Sequence, residues 1–114
     1  MLQAQKAGAY ANYILGMNIT AEETILVYGN QSGIISERIS FKPEVNQSFQ
    51  SFLALISQHS DKLLNLARAQ HLPLPERVSV SIAGNYDAQQ GVLISSRDFP
   101  AWKNEPLKSQ LQLL

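Results

Sequence analysis

Residues Tyr13–Phe41, YILGMNITAEETILVYGNQSGIISERISF, hold three runs rich in β-branched and aromatic residues, separated by two polar connections. That pattern predicts an antiparallel meander with strands over Tyr13–Ile19, Glu23–Tyr28 and Ile34–Phe41. The second connection, Asn30-Gln31-Ser32-Gly33, supplies residues that tolerate positive φ or bond their own backbone, as a tight turn demands. The first, Thr20-Ala21-Glu22, contains no glycine, and this bears on function below.

Downstream, Lys42-Pro43 stops the third strand, because proline cannot donate to a sheet ladder and restricts the residue before it. From Asn46 as N-cap, a helix of about 24 residues is expected, with Phe49, Phe52, Leu53, Ile56, Leu63, Leu64 and Ala67 on one face at helical spacing. Leu55 and Leu66 widen that stripe, while Gln50, Gln58, Lys62 and Arg68 form the wet side. After the breaker His71-Leu72-Pro73-Leu74-Pro75, the segment Arg77–Ala83 (RVSVSIA) alternates with period two and reads as a fourth strand. A helix between the third and fourth strands allows a crossover that lays the fourth parallel to a neighbour. Gly84–Gly91 is a turn-rich loop, Val92–Ser95 returns from it as a β-ribbon, and Ser96–Trp102 is irregular. A last helix begins near Glu105, with Pro106 in its first turn. The fold class is therefore α/β, a mixed sheet in βββαβ order with a short ribbon and a C-terminal helix. Met1–Ala11 shows no apolar period and reads as a lead-in or linker.

The 114 residues suffice for one domain with a real core. Hydrophobic residues make up 45% and charged residues 16%, below the usual quarter, which points to extra buried surface of the kind an oligomer or a second lobe would cover. Nine basic and nine acidic residues cancel, and Lys6, Arg38, Lys42, Lys62, Arg68, Arg77, Arg97, Lys103 and Lys108 are scattered. No stripe follows a phosphate backbone, so direct nucleic-acid binding by this chain is not expected. There is no cysteine, which excludes disulfides and thiolate metal sites, and no apolar run of membrane-spanning length. Cytoplasmic location without a membrane partner is the expectation.

Few residues offer chemistry. His59 and His71 lie twelve apart without cysteines or an i, i+4 histidine pair, so no metal site is expected. Glu22 and Glu23 are adjacent and would point to opposite faces of a strand, which suits solvated charges better than acid/base catalysis. Ser95-Ser96 near Asp98 has no histidine beside it in sequence and no nucleophile elbow. Tyr86, Phe99 and Trp102 gather in sequence around Asp98, a composition that serves either to stack on and hydrogen-bond a sugar or simply to pack a core.

Over about Gly8–Leu114 the order of elements and several strings resemble the first lobe of the ROK family of sugar kinases and sugar-responsive transcriptional repressors. The strings are ILGMNI at Ile14–Ile19, SVSIAG at Ser79–Gly84 followed by NYDAQQG and VLISS, then DFPAW at Asp98–Trp102 before EPLKSQL. Ile82-Ala83-Gly84 falls on the family's strand-end glycine motif and Phe99-Pro100-Ala101-Trp102 on its tryptophan motif. Gly16 also matches. Asn18 stands where the kinases have Asp, Thr20-Ala21-Glu22-Glu23 replaces the Gly-Gly-Thr turn that wraps ATP phosphates, and Asp98 replaces an Asn.

The resemblance implies an actin/hexokinase-like (ribonuclease H-like) lobe over residues 12–114, with a second lobe outside this sequence. It further implies a regulator of the repressor type with no catalytic residue and no cofactor, the turn Asn18, Thr20, Ala21, Glu22 being degenerate. A sugar effector would sit by Gly84, Asp98 and Trp102, and a first kinase lobe or a pure dimerisation domain are the other readings. A phosphate loop needs glycine-permitted approach of backbone N–H groups and no nearby carboxylate. At an effective dielectric of about 20, each carboxylate beside a triphosphate costs on the order of 1–4 kcal/mol before screening.

Overall fold

The computed structural model describes residues 13–44 and 46–113. The predicted lead-in, residues 1–11, lies outside the described residues. Among the described residues seven strands and two helices follow one another: β1 (Tyr13–Ile19), β2 (Thr24–Asn30), β3 (Ile35–Phe41), α1 (Phe49–Ala69), β4 (Arg77–Ile82), β5 (Asn85–Asp87), β6 (Val92–Ser95), β7 (Lys103–Glu105) and α2 (Leu107–Gln112).

The meander forms as expected, with β2 antiparallel to both β1 and β3. Its second turn is built by Asn30, whose Oδ1 accepts from the N–H groups of Ser32 (2.9 Å) and Ile34 (3.2 Å), while Gly33 takes φ +86°. β2 runs two residues further than expected because Tyr13 and Ile14 pair with Asn30 and Gly29, and a register shift at Tyr28/Gly29 fits β3 to the longer strand. The crossover through α1 returns β4 parallel to β1, in the sheet order β3-β2-β1-β4.

Register decides which side chains are buried. Leu15, Met17 and Ile19 of β1 sit opposite Val78, Val80 and Ile82 of β4 on one sheet face; α1 packs against the β2 and β3 part of that face, and Val78 stays 40% exposed. From α1, Phe49, Phe52, Leu53, Ile56, Leu63 and Ala67 enter the same core, as their spacing predicts. Three expectations for this helix are corrected. Its N-cap is Ser48, whose Oγ accepts from Ser51 N–H at 3.1 Å, and not Asn46. It has 21 residues. Leu66 is 43% exposed and does not widen the apolar stripe, since it lies past the edge of the sheet-facing arc.

Beyond β4 the ribbon is a three-stranded sheet in the order β5-β6-β7. β7 escaped the sequence reading because Lys-Asn-Glu is polar, three residues long and includes Asn104 at φ +52°. α2 starts at Leu107, with Pro106 in the cap position and not in the first turn. Among the described residues no helix is long and apolar enough to cross a membrane.

At the end of the sheet where β1 and β4 begin, the fully buried Tyr28 stacks on Tyr13 at 5.0 Å, and its hydroxyl donates to Pro73 O, tying the helix exit to β2. Burial, and then the neighbouring Tyr13, raise the Tyr28 pKa above the usual phenol value. The unfolded phenol ionises near pH 10, so the folded protein retains this proton longer. Stability from Tyr28 is complete below about pH 10 and is lost as pH rises through the folded value. We expect urea midpoints of the wild type to fall more steeply above about pH 10 than those of Tyr28→Phe, which should be about 0.5–1.5 kcal/mol less stable at neutral pH.

Candidate functional site at the carboxyl ends of β1 and β4

Parallel pairing of Ile19 with Ile82 places the β1–β2 turn and the β4–β5 turn side by side at one end of the sheet. In open α/β sheets, ligands bind outside such carboxyl ends. The segment Ser96-Arg97-Asp98 crosses this end and holds both turns. Ser96, buried, donates from Oγ to Ala83 O at 2.8 Å. Asp98, half-buried, accepts on Oδ2 from the Ala21 N–H at 3.1 Å, joining residues 77 positions apart.

The β1–β2 turn is otherwise closed on itself. Thr20 Oγ1 donates to Glu23 O at 2.7 Å and accepts from Glu23 N–H at 3.0 Å. The Thr20 N–H donates to the same carbonyl at 3.3 Å. Glu22 and Glu23 are exposed, and Asn18 is exposed on the sheet face away from α1, beside Ser81 and Ile25. Of the turn's amides, Ala21 N–H points inward and is already taken by a carboxylate.

Gly84 sits at the same end, and its lack of a side chain has a local cause: a Cβ there would lie 2.6 Å from Ser95 O and 2.9 Å from Leu93 Cδ1. Trp102, expected beside a ligand, is a core residue, 1% exposed. Its ring stacks on Phe99 (4.0 Å, 5°) and meets Phe49 and Phe52 at 5.3 and 4.9 Å. Its Nε1–H donates to Gln47 O at 2.9 Å. Of the two roles that sequence allows these aromatics, packing is the one their placement fits. They anchor the segment that carries Asp98 to the N-terminal end of α1. The structure thus brings Gly84, Asp98, Thr20 and Ala21 to one sheet end and sets Trp102 beneath it. Ser96 and Gln47, which complete the arrangement, carry no sequence signal, because each acts only through a partner distant in the chain.

The histidines stay apart from this end. His59 stacks on Phe41 at 4.3 Å with Nδ1 at 2.9 Å from Leu55 O, and exposed His71 takes φ +62° just after α1. Among the described residues no group of three metal-ligating side chains forms. Chemically the end presents one Asp98 oxygen that accepts no hydrogen bond among the described residues, the Asn18 amide, and exposed carboxylates that disfavour an anion.

Three solved structures share this architecture. A ROK family transcriptional regulator, a homologue of the E. coli MLC protein, superposes with TM-score 0.74 over 99% of this chain at 13% identity. The fold is that of ROK proteins. A ROK family protein from Streptococcus pneumoniae, solved in complex with sucrose, matches 89% of the chain (TM-score 0.68, 15% identity). A protein from Cytophaga hutchinsonii named as a sugar kinase matches 88% (TM-score 0.66, 15% identity). The chain spans 30%, 31% and 33% of the lengths of these three proteins. No protein-family model and no curated protein matches the sequence. The ROK fold accounts for the mixed sheet, the crossover helix and the C-terminal helix together.

The close approach at Gly84 is a backbone constraint of this end, and it is testable. Gly84→Ala must displace the Ser95 carbonyl or the Leu93 side chain, an overpacking expected to cost about 1–3 kcal/mol. Thermal unfolding should show a midpoint several degrees lower, with the far-ultraviolet spectrum unchanged.

Proposed function

We propose that this chain is the N-terminal lobe, residues 12–114, of a ROK-type sugar-responsive regulator, and that it senses an effector without transferring phosphate. The observation that carries this reading is the bond from Ala21 N–H to Asp98 Oδ2. A phosphoryl-transfer site works by directing backbone N–H groups, metal and basic side chains at phosphate oxygens. Here the inward amide of the turn already serves an internal carboxylate, and the turn's own side chains add Glu22 and Glu23.

A neutral polyol suits what the sheet end offers. Asp98 retains an acceptor oxygen for hydroxyl groups, Gly84 keeps the neighbouring strand end low, and the buried Phe99–Trp102 stack fixes the segment from below. Trp102 supports the site in this reading and does not touch the ligand. The sugar-bound ROK neighbour makes mono- and disaccharides the first class to test. A second lobe would complete the cleft, so affinity in this chain alone is expected to be weak.

The test pairs calorimetry with amide NMR. Mg-ATP should produce no saturable heat, while a panel of hexoses and sucrose should contain a sugar that shifts the Asp98 and Ala21 resonances, with the shift lost in Asp98→Ala. Saturable Mg-ATP binding with sugar-dependent ADP release, in this chain or joined to a second lobe, would overturn the reading in favour of a sugar kinase.

A further inference from the structure

Between Ser96 and Trp102 the chain bonds to three separate parts of the lobe. Ser96 Oγ donates to Ala83 O, Asp98 Oδ2 accepts from Ala21 N–H, and Trp102 Nε1–H donates to Gln47 O. The first two contacts lie at the sheet end. The third lies on the connection from β3 to α1, one residue before the N-cap Ser48.

Residues 98–102 form a short, stiff link between these places. Trp102 N–H donates to Phe99 O at 3.0 Å, Pro100 fixes one φ between them, and the two rings lie almost parallel at 4.0 Å. Both rings are buried and packed on Phe52, and a close-packed interior passes a displacement on because it holds little free space to absorb it. On the helix side, the Gln47 carbonyl precedes the α1 ladder, which begins where Phe52 N–H donates to Ser48 O. Among the described residues the donor to that carbonyl is the Trp102 indole. Gln47 is also stitched to Glu44, its N–H donating to Glu44 O and its Oε1 accepting from Glu44 N–H. Ser48, Gln50 and Ser51, just beyond, are exposed.

We propose that residues 98–102 act as a relay, in which engagement of Asp98 at the sheet end re-seats the Trp102 indole on Gln47 and is displayed on the exposed first turn of α1. This rests on the reading of Asp98 as the effector contact, and it makes that turn the face on which the lobe reports occupancy. Coupling between two sites is reciprocal, so a change at the N-cap must equally reach Asp98 and its partner Ala21.

Amide and indole NMR of this chain tests the relay without a sugar, and Trp102, the chain's single tryptophan, supplies one unambiguous indole signal. Asp98→Ala should move the indole resonance and the Gln47 and Ser51 amides, whereas Glu22→Ala, at an exposed residue of the same turn, should leave them in place. In the opposite direction, Ser48→Ala removes the cap bond to Ser51 N–H and should move the indole and Ala21 resonances. Trp102→Phe keeps a ring against Phe99 but has no N–H, so the response of Ser51 to Asp98→Ala should be lost in it. An unmoved Ser51 in Asp98→Ala, an unmoved Ala21 in Ser48→Ala, or a Ser51 response that survives in folded Trp102→Phe would each overturn the relay. A panel of hexoses and sucrose separates the relay from the reading beneath it. A sugar that shifts Asp98 and leaves Ser51 unmoved overturns the relay alone. If no sugar binds while Asp98→Ala still moves Ser51, the effector reading falls and the relay stands.

Discussion

The parallel register between β1 and β4 is the constraint on which the rest of this structure depends. Pairing Leu15, Met17 and Ile19 with Val78, Val80 and Ile82 puts six apolar side chains on one sheet face, and parallel pairing is possible only because a long crossover separates the strands. A slip of one residue would turn Ser79 and Ser81 to the face that carries Leu15, Met17 and Ile19 and send the valines to the other. The same register brings two strand ends level, so one short segment can bond to both. Sheet geometry thus creates the candidate site before any residue of that site is considered.

What the segment 96–98 does with that opportunity depends on its anchorage. Ser96 is held at Ala83 O, and Phe99 and Trp102 are sunk among Phe49 and Phe52. Asp98 between them is therefore a carboxylate on a rigid support, able to accept from Ala21 N–H without first ordering a loop. Aromatic burial thus fixes the segment's path, and Asp98 makes the contact to Ala21 N–H.

The parts legible in sequence were those whose cause is local. The meander, the α1 face, the period-two pattern of β4 and the Asn30–Gly33 turn all follow from spacing or from one residue's conformational freedom. Ser48 took the cap from Asn46 because either residue type can fill that role, and only the path of the chain after Pro43 chooses. β7 was hidden because its three polar residues are held by β6 and not by their own propensity. At the sheet end, the partners that define Gly84, Asp98 and Trp102, namely Ser95 O, Ala21 N–H and Gln47 O, are backbone atoms. Backbone partners leave no mark on composition, so sequence could place the side chain but not say what it holds.

Fold similarity alone does not separate regulator from kinase, since both kinds of protein share this architecture at similar structural distance. The proposed reading as a regulator rests on one backbone amide. In a turn of glycines, several N–H groups converge on an anion from outside and the anion is the substrate. In this turn Thr20 closes the loop on Glu23, and the remaining inward amide is met by a carboxylate that belongs to the protein. A phosphate would have to displace that carboxylate while leaving it nearby and charged, so the very contact that orders the turn opposes the ligand a kinase requires. A hydroxyl faces no such conflict, because it can donate to the second Asp98 oxygen while Ala21 N–H keeps the first.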